Sequence, residues 1–249
     1  MATTAFALFV DVMGVQRELL PAATAAEARA RFQACRERLE HFRRDLASTI
    51  VALDTFLMPA AVPPPTFIAE FSDSAYIIGP KFASVAIPAI WLMRRALRHE
   101  YPLRGGIGFG TFLHEASGAR FFGTGQVWST SSFLGGAVVT SYLAERSTAM
   151  GLRVFVHRDA MQQAQELFLE SYSTDLLSDE VDAVSTHELR LFDSNESAAA
   201  VARMRRFRES QNLTARASGH YESTIAAYER FGTISAGLPH TLPALWLDR

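Results

Sequence analysis

Cysteine occurs once in the 249 residues, at Cys35. An intrachain disulfide framework is therefore excluded, and a cysteine-based zinc site nearly so. Lysine is almost as scarce: Lys81 is the one lysine among 24 Lys and Arg residues, a lopsidedness that fits a GC-rich coding sequence. Long apolar runs are missing too. None reaches the roughly 18 residues of a membrane span. The opening MATTAFALFVDVMG is short, lacks a basic start and carries Asp11, so it does not read as a signal peptide. The expectation is a soluble, cytoplasmic protein with no membrane partner. Excess positive charge is also lacking: 24 basic residues face 26 acidic ones, a net charge of -2, which argues against a nucleic-acid binder. The seven histidines show no His-Glu-x-x-His spacing, and no Gly-x-Ser-x-Gly elbow is present. Gly105, Gly106, Gly108 and Gly110 do not make a Gly-x-Gly-x-x-Gly opening a helix, which disfavours a dinucleotide fold.

What is present is an ordinary globular composition, 49% hydrophobic and 20% charged, long enough to bury a large core. Residues 5–13 form a continuous apolar run ended by Gly14, a buried central strand. From Thr24 to Leu57 the pattern turns helical, with a stripe through Phe32, Leu39, Phe42, Leu46, Ile50 and Leu53, closed by Pro59 and Pro63–Pro65. Thr66–Phe71 and Ser74–Ile78 predict a hairpin around Ser72-Asp73. Phe82–His99 predicts a buried helix that Pro88 can kink. Leu103–Phe112 is a glycine-dense strand, where another backbone or a ligand must lie close. A loop, a helix over Ser132–Met150, a strand at Arg153–His157, a short helix over Arg158–Leu167 and a last strand at Glu188–Phe192 follow. Two tail helices, Glu196–Asn212 and Tyr221–Arg230, are separated at Ser218-Gly219. This order predicts an α+β fold with a mixed sheet, divided into a domain over 1–192 and a C-terminal helical extension over 193–249 that packs on it or on a partner subunit.

Asp11 stands in a strand that has no other polar residue, and an isolated ionised carboxylate is expensive to bury. Asp73 sits on a hairpin between two apolar strands. Were those strands neighbours, the two acids would meet, and the options are local pairing with arginines or a divalent cation between them. Paired acids with divalent metals are a common apparatus for phosphoryl transfer. The turn after Asp11 (Val12, Met13, Gly14, Val15) can offer backbone amides to phosphate. Arg104, ahead of Gly105-Gly106, can clamp phosphate or neutralise an acid. The arginines at 203, 205, 206 and 208 read as a solvated helix face.

Four segments carry a resemblance. FALFVDVMGV resembles the first-strand motif of class III nucleotide cyclases, FSDSAYII their metal-binding hairpin, LRGGIGFGTF their glycine-rich strand and GGAVVTSYLAE their helix that ends near a Glu. They run in family order over about residues 5 to 157. The resemblance implies a ferredoxin-like palm and a homodimer with active sites at the interface. It also implies two Mn²⁺ or Mg²⁺ ions on Asp11, Asp73 and the carbonyl of Val12. The backbone of Met13, Gly14 and Val15 would hold the triphosphate. Phe9 shares Asp11's strand face by period two, where core packing is the stronger expectation and contact with the nucleotide the other.

Departures from the family narrow the substrate. Ala69 stands where purine cyclases carry a base-reading lysine, Ser132 where they carry an Asp, Val139 at their helix Asn and Leu143 at their transition-state Arg. The segments look most like the pyrimidine cyclases of bacterial Pycsar antiphage systems. That implies conversion of UTP, ahead of CTP, to a cyclic nucleotide that activates an effector, with Arg104 as the replacement cation. A purine cyclase with an altered pocket and a non-catalytic nucleotide or metal sensor are the rivals.

Overall fold

The computed structural model describes residues 2–15, 24–56, 63–120, 127–146, 151–164, 185–189, 191–192, 194–210 and 215–232. The elements in chain order are β1 (Thr3–Val12), α1 (Ala25–Phe56), β2 (Phe67–Glu70), β3 (Ser74–Gly79), α2 (Ala83–Arg98), β4 (Leu103–Arg120) and β5 (Val127–Leu134). After them come α3 (Gly136–Glu145), β6 (Val154–His157), α4 (Arg158–Gln163), β7 (Ser185–Glu188), α5 (Ser194–Ser210) and α6 (Ala215–Gly232). The sheet is seven-stranded and mixed, in the order β2-β3-β1-β4-β6-β7, with β5 paired to the far half of β4. The architecture is thus α+β, as the sequence predicts.

Strand β1 is the spine. It pairs antiparallel with β3 on one side and with β4 on the other, while β4 runs parallel to β6. Because side chains alternate along a strand, β1 divides into two faces. Phe6, Leu8, Val10 and Val12 join the main core with Phe42 and Leu46 of α1, Ile87 and Ile90 of α2, Phe207 of α5 and Tyr228 of α6. Ala5, Ala7 and Phe9 lie on the opposite face in a smaller cluster with Tyr76, Ile78, Phe112 and Ala137. The tail helices therefore share the core of the sheet.

Local chemistry explains the helices. Thr24 caps α1, its hydroxyl accepting from the Glu27 N–H at 3.1 Å, the threonine half of a capping box. Ion pairs such as Arg36–Glu40 line its outer surface. The inward stripe begins later than the sequence suggests, since Phe32 is exposed and Cys35 is the first buried side chain. Helix α2 continues through the buried Pro88. Leu53 of the expected stripe lies outside the described side chains.

Three boundaries differ from expectation. Ser132 belongs to β5, which the sequence reading missed, and α3 starts only at Gly136. The last strand is Ser185–Glu188 rather than 188–192. Helix α6 runs straight through Ser218-Gly219; His220 and Thr224 on it accept hydrogen bonds from the backbone N–H groups of Gly151 and Leu152, at 3.0 and 2.7 Å, and that anchorage overrides the local breaker.

Candidate active site

Register brings the two predicted acids together. Asp11 stands opposite Ser74 on β3 and opposite Arg104 on β4. The hairpin turn is closed by the Phe71 N–H donating to the Ser74 carbonyl at 2.8 Å, and the Val12 N–H donates to the Asp73 carbonyl at 2.8 Å. Asp73 is thereby tied to the residue after Asp11. Its carboxylate accepts from the Ser72 hydroxyl at 3.0 Å.

Past Asp11 the chain turns through Met13 and Gly14. Gly14 has φ of +89°, a conformation glycine adopts without strain, and a Cβ there would meet nothing within 4 Å. The backbone is open on that side. Met13 already donates its N–H to the Pro102 carbonyl at 2.9 Å, which leaves Gly14 and Val15 as the amides of the turn that can face an anion.

Helix α3 covers the acid face, and the glycines of β4 let it approach. A Cβ on Gly106 would run into the backbone of Ser141 and Glu145, and one on Gly108 into Thr140 and Ser141. The close neighbour expected from this glycine-dense strand is therefore the α3 backbone. Gly106 lies opposite Phe9, two positions from the Asp11–Arg104 pair, so the last turn of α3 sits beside the acids.

That turn delivers Glu145 and Arg146, two residues that the sequence reading did not place in the site. Arg104 is buried, its Nε 3.7 Å from Glu145 Oε1 and its guanidinium 5.0 Å from the centre of the Phe155 ring. Arg146 Nε lies 3.4 Å from the other carboxylate oxygen. The available sequence signal was the Glu-Arg ending of the helix, together with the need of Asp11 and Arg104 for partners.

Electrostatics follow from this crowding. Burial first, then the charges of Glu145 and Asp73, push the Asp11 carboxyl up to about 7; Arg146 and Arg104 pull the other way. Burial also raises Glu145, opposed by Arg104 and Arg146, and lowers Arg104. Two carboxylates with a backbone carbonyl beside them are hard oxygen donors. An acid held this far up by burial and, after it, by neighbouring negative charge suits a divalent cation that also binds substrate phosphates. Among the described residues no group of three or more His, Cys, Asp or Glu is arranged to hold a metal ion.

Beyond the acids the same face is aromatic. Phe9 packs on Tyr76 at 4.8 Å and Tyr142 at 5.6 Å between centroids, and Tyr76 on Phe133 at 5.3 Å and Phe71 at 6.2 Å. Ala69 is the cross-strand neighbour of Tyr76. Burial raises the Tyr76 phenol to about 12, so it stays a proton donor. Phe9 is buried within this wall.

No family profile and no curated protein matches the chain. Among solved structures, the guanylyl cyclase Cya2 aligns at 14% identity over 67% of this chain and 80% of that one, with a TM-score of 0.42. A class III adenylyl cyclase-like ATP-binding protein from Pseudomonas aeruginosa aligns at 12% identity over 92% of this chain and 43% of that one, with a TM-score of 0.27. Both likenesses are distant, and the chemistry of the site rests on its own residues. No described helix is long and apolar enough to cross a membrane.

Proposed function

We propose that the chain is a nucleotide cyclase that converts a pyrimidine nucleoside triphosphate, UTP ahead of CTP, to its 3′,5′-cyclic monophosphate and diphosphate. The observation that carries this reading is the meeting of Asp11 and Asp73 beside an open glycine turn. Two Mn²⁺ or Mg²⁺ ions, held by Asp11, Asp73 and the Val12 carbonyl, would supply activation of the 3′-hydroxyl and neutralisation of phosphate charge. Gly14 and Val15 turn their amides toward the triphosphate, and the β1–β3 pairing fixes the two acids relative to each other. The 3′-oxygen attacks the α-phosphorus, the bond to the bridging oxygen breaks, diphosphate departs with the electron pair, and the hydroxyl proton passes to water. Holding nucleophile and phosphorus in line replaces a costly encounter by an intramolecular step.

The base preference is supported by the neutral aromatic wall. Ala69 and Tyr76 offer a small side chain beside a ring and one phenol, with Phe9 and Phe133 packed against that ring. Such a surface suits a small ring presenting carbonyl acceptors. A homodimer is supported by the outer side of α3, where Val139, Tyr142 and Leu143 are exposed next to Leu134, an apolar patch that a second copy would cover. On this reading the cyclic pyrimidine nucleotide is a cytoplasmic signal to an antiphage effector, as the sequence resemblance implies.

Incubation of the full chain with Mn²⁺ and each of ATP, GTP, CTP and UTP, with cyclic products resolved, tests the reading. Cyclic UMP as the main product is expected. Product from ATP or GTP alone overturns the pyrimidine assignment, and no product from any nucleotide overturns the cyclase.

A further inference from the structure

We infer that Arg146 is the cation that contacts the substrate's phosphates in this site, an inference that rests on the cyclase reading above. Every described cation near the acids was a candidate, and their surroundings separate them. Arg104 is held in place: its side chain is 9% exposed, it pairs with Glu145, and it stacks on Phe155. Withdrawing it would take a buried guanidinium away from both Glu145 and the Phe155 ring and leave Glu145 with only the solvent-exposed Arg146 as partner, which is unfavourable. Arg153 is bound to Glu188 at 2.6 Å with both side chains 3% exposed. Lys81 lies past the other end of β3, seven residues from Ser74, on the order of 20 Å at strand spacing.

Arg146 is different. It stands at the C-cap of α3 with its side chain 64% exposed. It is held by a 3.4 Å ion pair to Glu145 Oε2 and by its position 5.3 Å from the centre of the Tyr142 ring. Only the arginine end of this pair is exposed, so the guanidinium can turn from Glu145 into solvent without being desolvated. Leaving Glu145 is also tolerable, because Arg104 remains beside the other oxygen. The helix turn that carries Arg146 is fixed over Gly106 by backbone contact, so its Cα is placed within a side chain's reach of the acid end of β1.

The chemistry suits the group. Arginine offers parallel N–H donors that match phosphate oxygens, whereas Leu143 and Val139 on the same helix offer none. As the α-phosphorus bond to the bridging oxygen breaks, negative charge grows on the departing diphosphate, and Arg146 meets that charge. Tyr142 guides the guanidinium: its ring touches Phe9 as well as Arg146, linking the aromatic wall to the phosphate end.

The test compares wild type with Arg146→Met, Arg146→Lys and Arg104→Met. With Mn²⁺ present, turnover of the preferred nucleotide is measured alongside calorimetric binding of inorganic diphosphate. Arg146→Met should lower kcat by about 10² to 10³, the usual effect of losing one charge-stabilising donor, and weaken diphosphate at least tenfold with an unchanged melting temperature. Arg146→Lys should recover part of both, and added guanidinium should restore part of the Arg146→Met rate. Arg104→Met should instead lower the melting temperature. An Arg146→Met protein within threefold of wild type in kcat and diphosphate affinity overturns the assignment. If wild type turns over no nucleotide, the cyclase reading falls by itself, and the diphosphate comparison still decides for or against Arg146. Absence of diphosphate binding by wild type overturns both.

Discussion

On one face of the sheet, Phe6, Leu8, Val10 and Val12 of β1 are sealed beneath helices α1, α2, α5 and α6; on the other, among the described residues, Phe9 and Asp11 of the same strand face α3, an aromatic wall and the charged groups beside it. The closed face is apolar, and each fully buried side chain contributes about 1.5 to 3 kcal/mol. The open face carries Asp11 against Asp73, Glu145 against Arg104, and exposed rings at its rim. Along β1 itself the charge stands on the side with the thinner cover, whereas the other buried charges of the fold, Asp45, Arg94 and the Arg153–Glu188 pair, lie off this strand. The closed face holds the sheet firmly enough to tolerate them, an arrangement expected where folding stability is spent on function.

The largest effect should come from crossing between the faces. Asp73→Ala and Asp11→Ala should each reduce cyclic nucleotide formation by more than about 10³ while the far-ultraviolet circular dichroism stays near wild type and neither protein loses stability to urea. Leu8→Ala, three positions before Asp11 and on the closed face of β1, should do the reverse. It should cost about 3 kcal/mol in urea unfolding yet leave kcat per folded molecule within a few-fold. Activity above one tenth of wild type in Asp73→Ala would remove that acid from the site, and an inactive but stable Leu8→Ala would erase the distinction between the faces.

The glycine row of β4 offers a sharper cut, because it belongs to the open face yet bears structure. Gly106→Ala pushes a methyl group into the backbone of Ser141 and Glu145, and main chain cannot rotate away as a side chain can. The expected cost is about 3 kcal/mol, accompanied by loss of turnover, since the displaced turn carries Glu145 and Arg146. Gly14→Ala is the control: its Cβ would meet nothing within 4 Å, and its penalty comes from the positive φ alone. Equal melting temperatures for wild type and Gly106→Ala would mean that α3 does not press on β4 as described.

Much of this was legible in the residues. The apolar run around Asp11 reads as a strand because continuous burial on both faces leaves no alternation. The Ser72-Asp73 turn reads as a hairpin because apolar runs flank it, and once both elements are granted their acids can meet. The dense glycines of β4 announced a close neighbour without naming it. Strand β5 escaped because its Ser and Thr residues read as a polar loop before a helix, and its pairing partner is a strand whose far half had not been expected to extend. The Glu145–Arg104 pair escaped for a deeper reason: its members lie some forty residues apart, and no periodicity links them. Pairings of that kind are set by how closely α3 approaches, which depends on side chains that are absent at Gly106 and Gly108.

The smallest effect, and the cleanest comparison of the two faces, is the pH dependence of stability in metal-free protein. Asp11 sits near 7 in the fold against about 3.9 unfolded. Between those values the folded chain keeps a proton that the unfolded chain has lost, so the folded state binds more protons and stability falls as pH rises. The contribution is complete below about pH 4 and is gone once pH passes 7. Allowing for solvent on the open side, the decline attributable to Asp11 is about 2 kcal/mol. Asp11→Asn keeps the shape and removes the titration. It should therefore match wild type near pH 4, exceed it by about 2 kcal/mol at pH 8, and form no product at either pH. Glu145 and Glu188 are also raised by burial and slope in the same direction, but they remain in both proteins, and the difference isolates Asp11. Urea titrations of the pair at pH 5, 6, 7 and 8 supply the measurement. A gap that stays constant across that range would mean that Asp11 is ionised throughout, and that the acids of the open face do not crowd it.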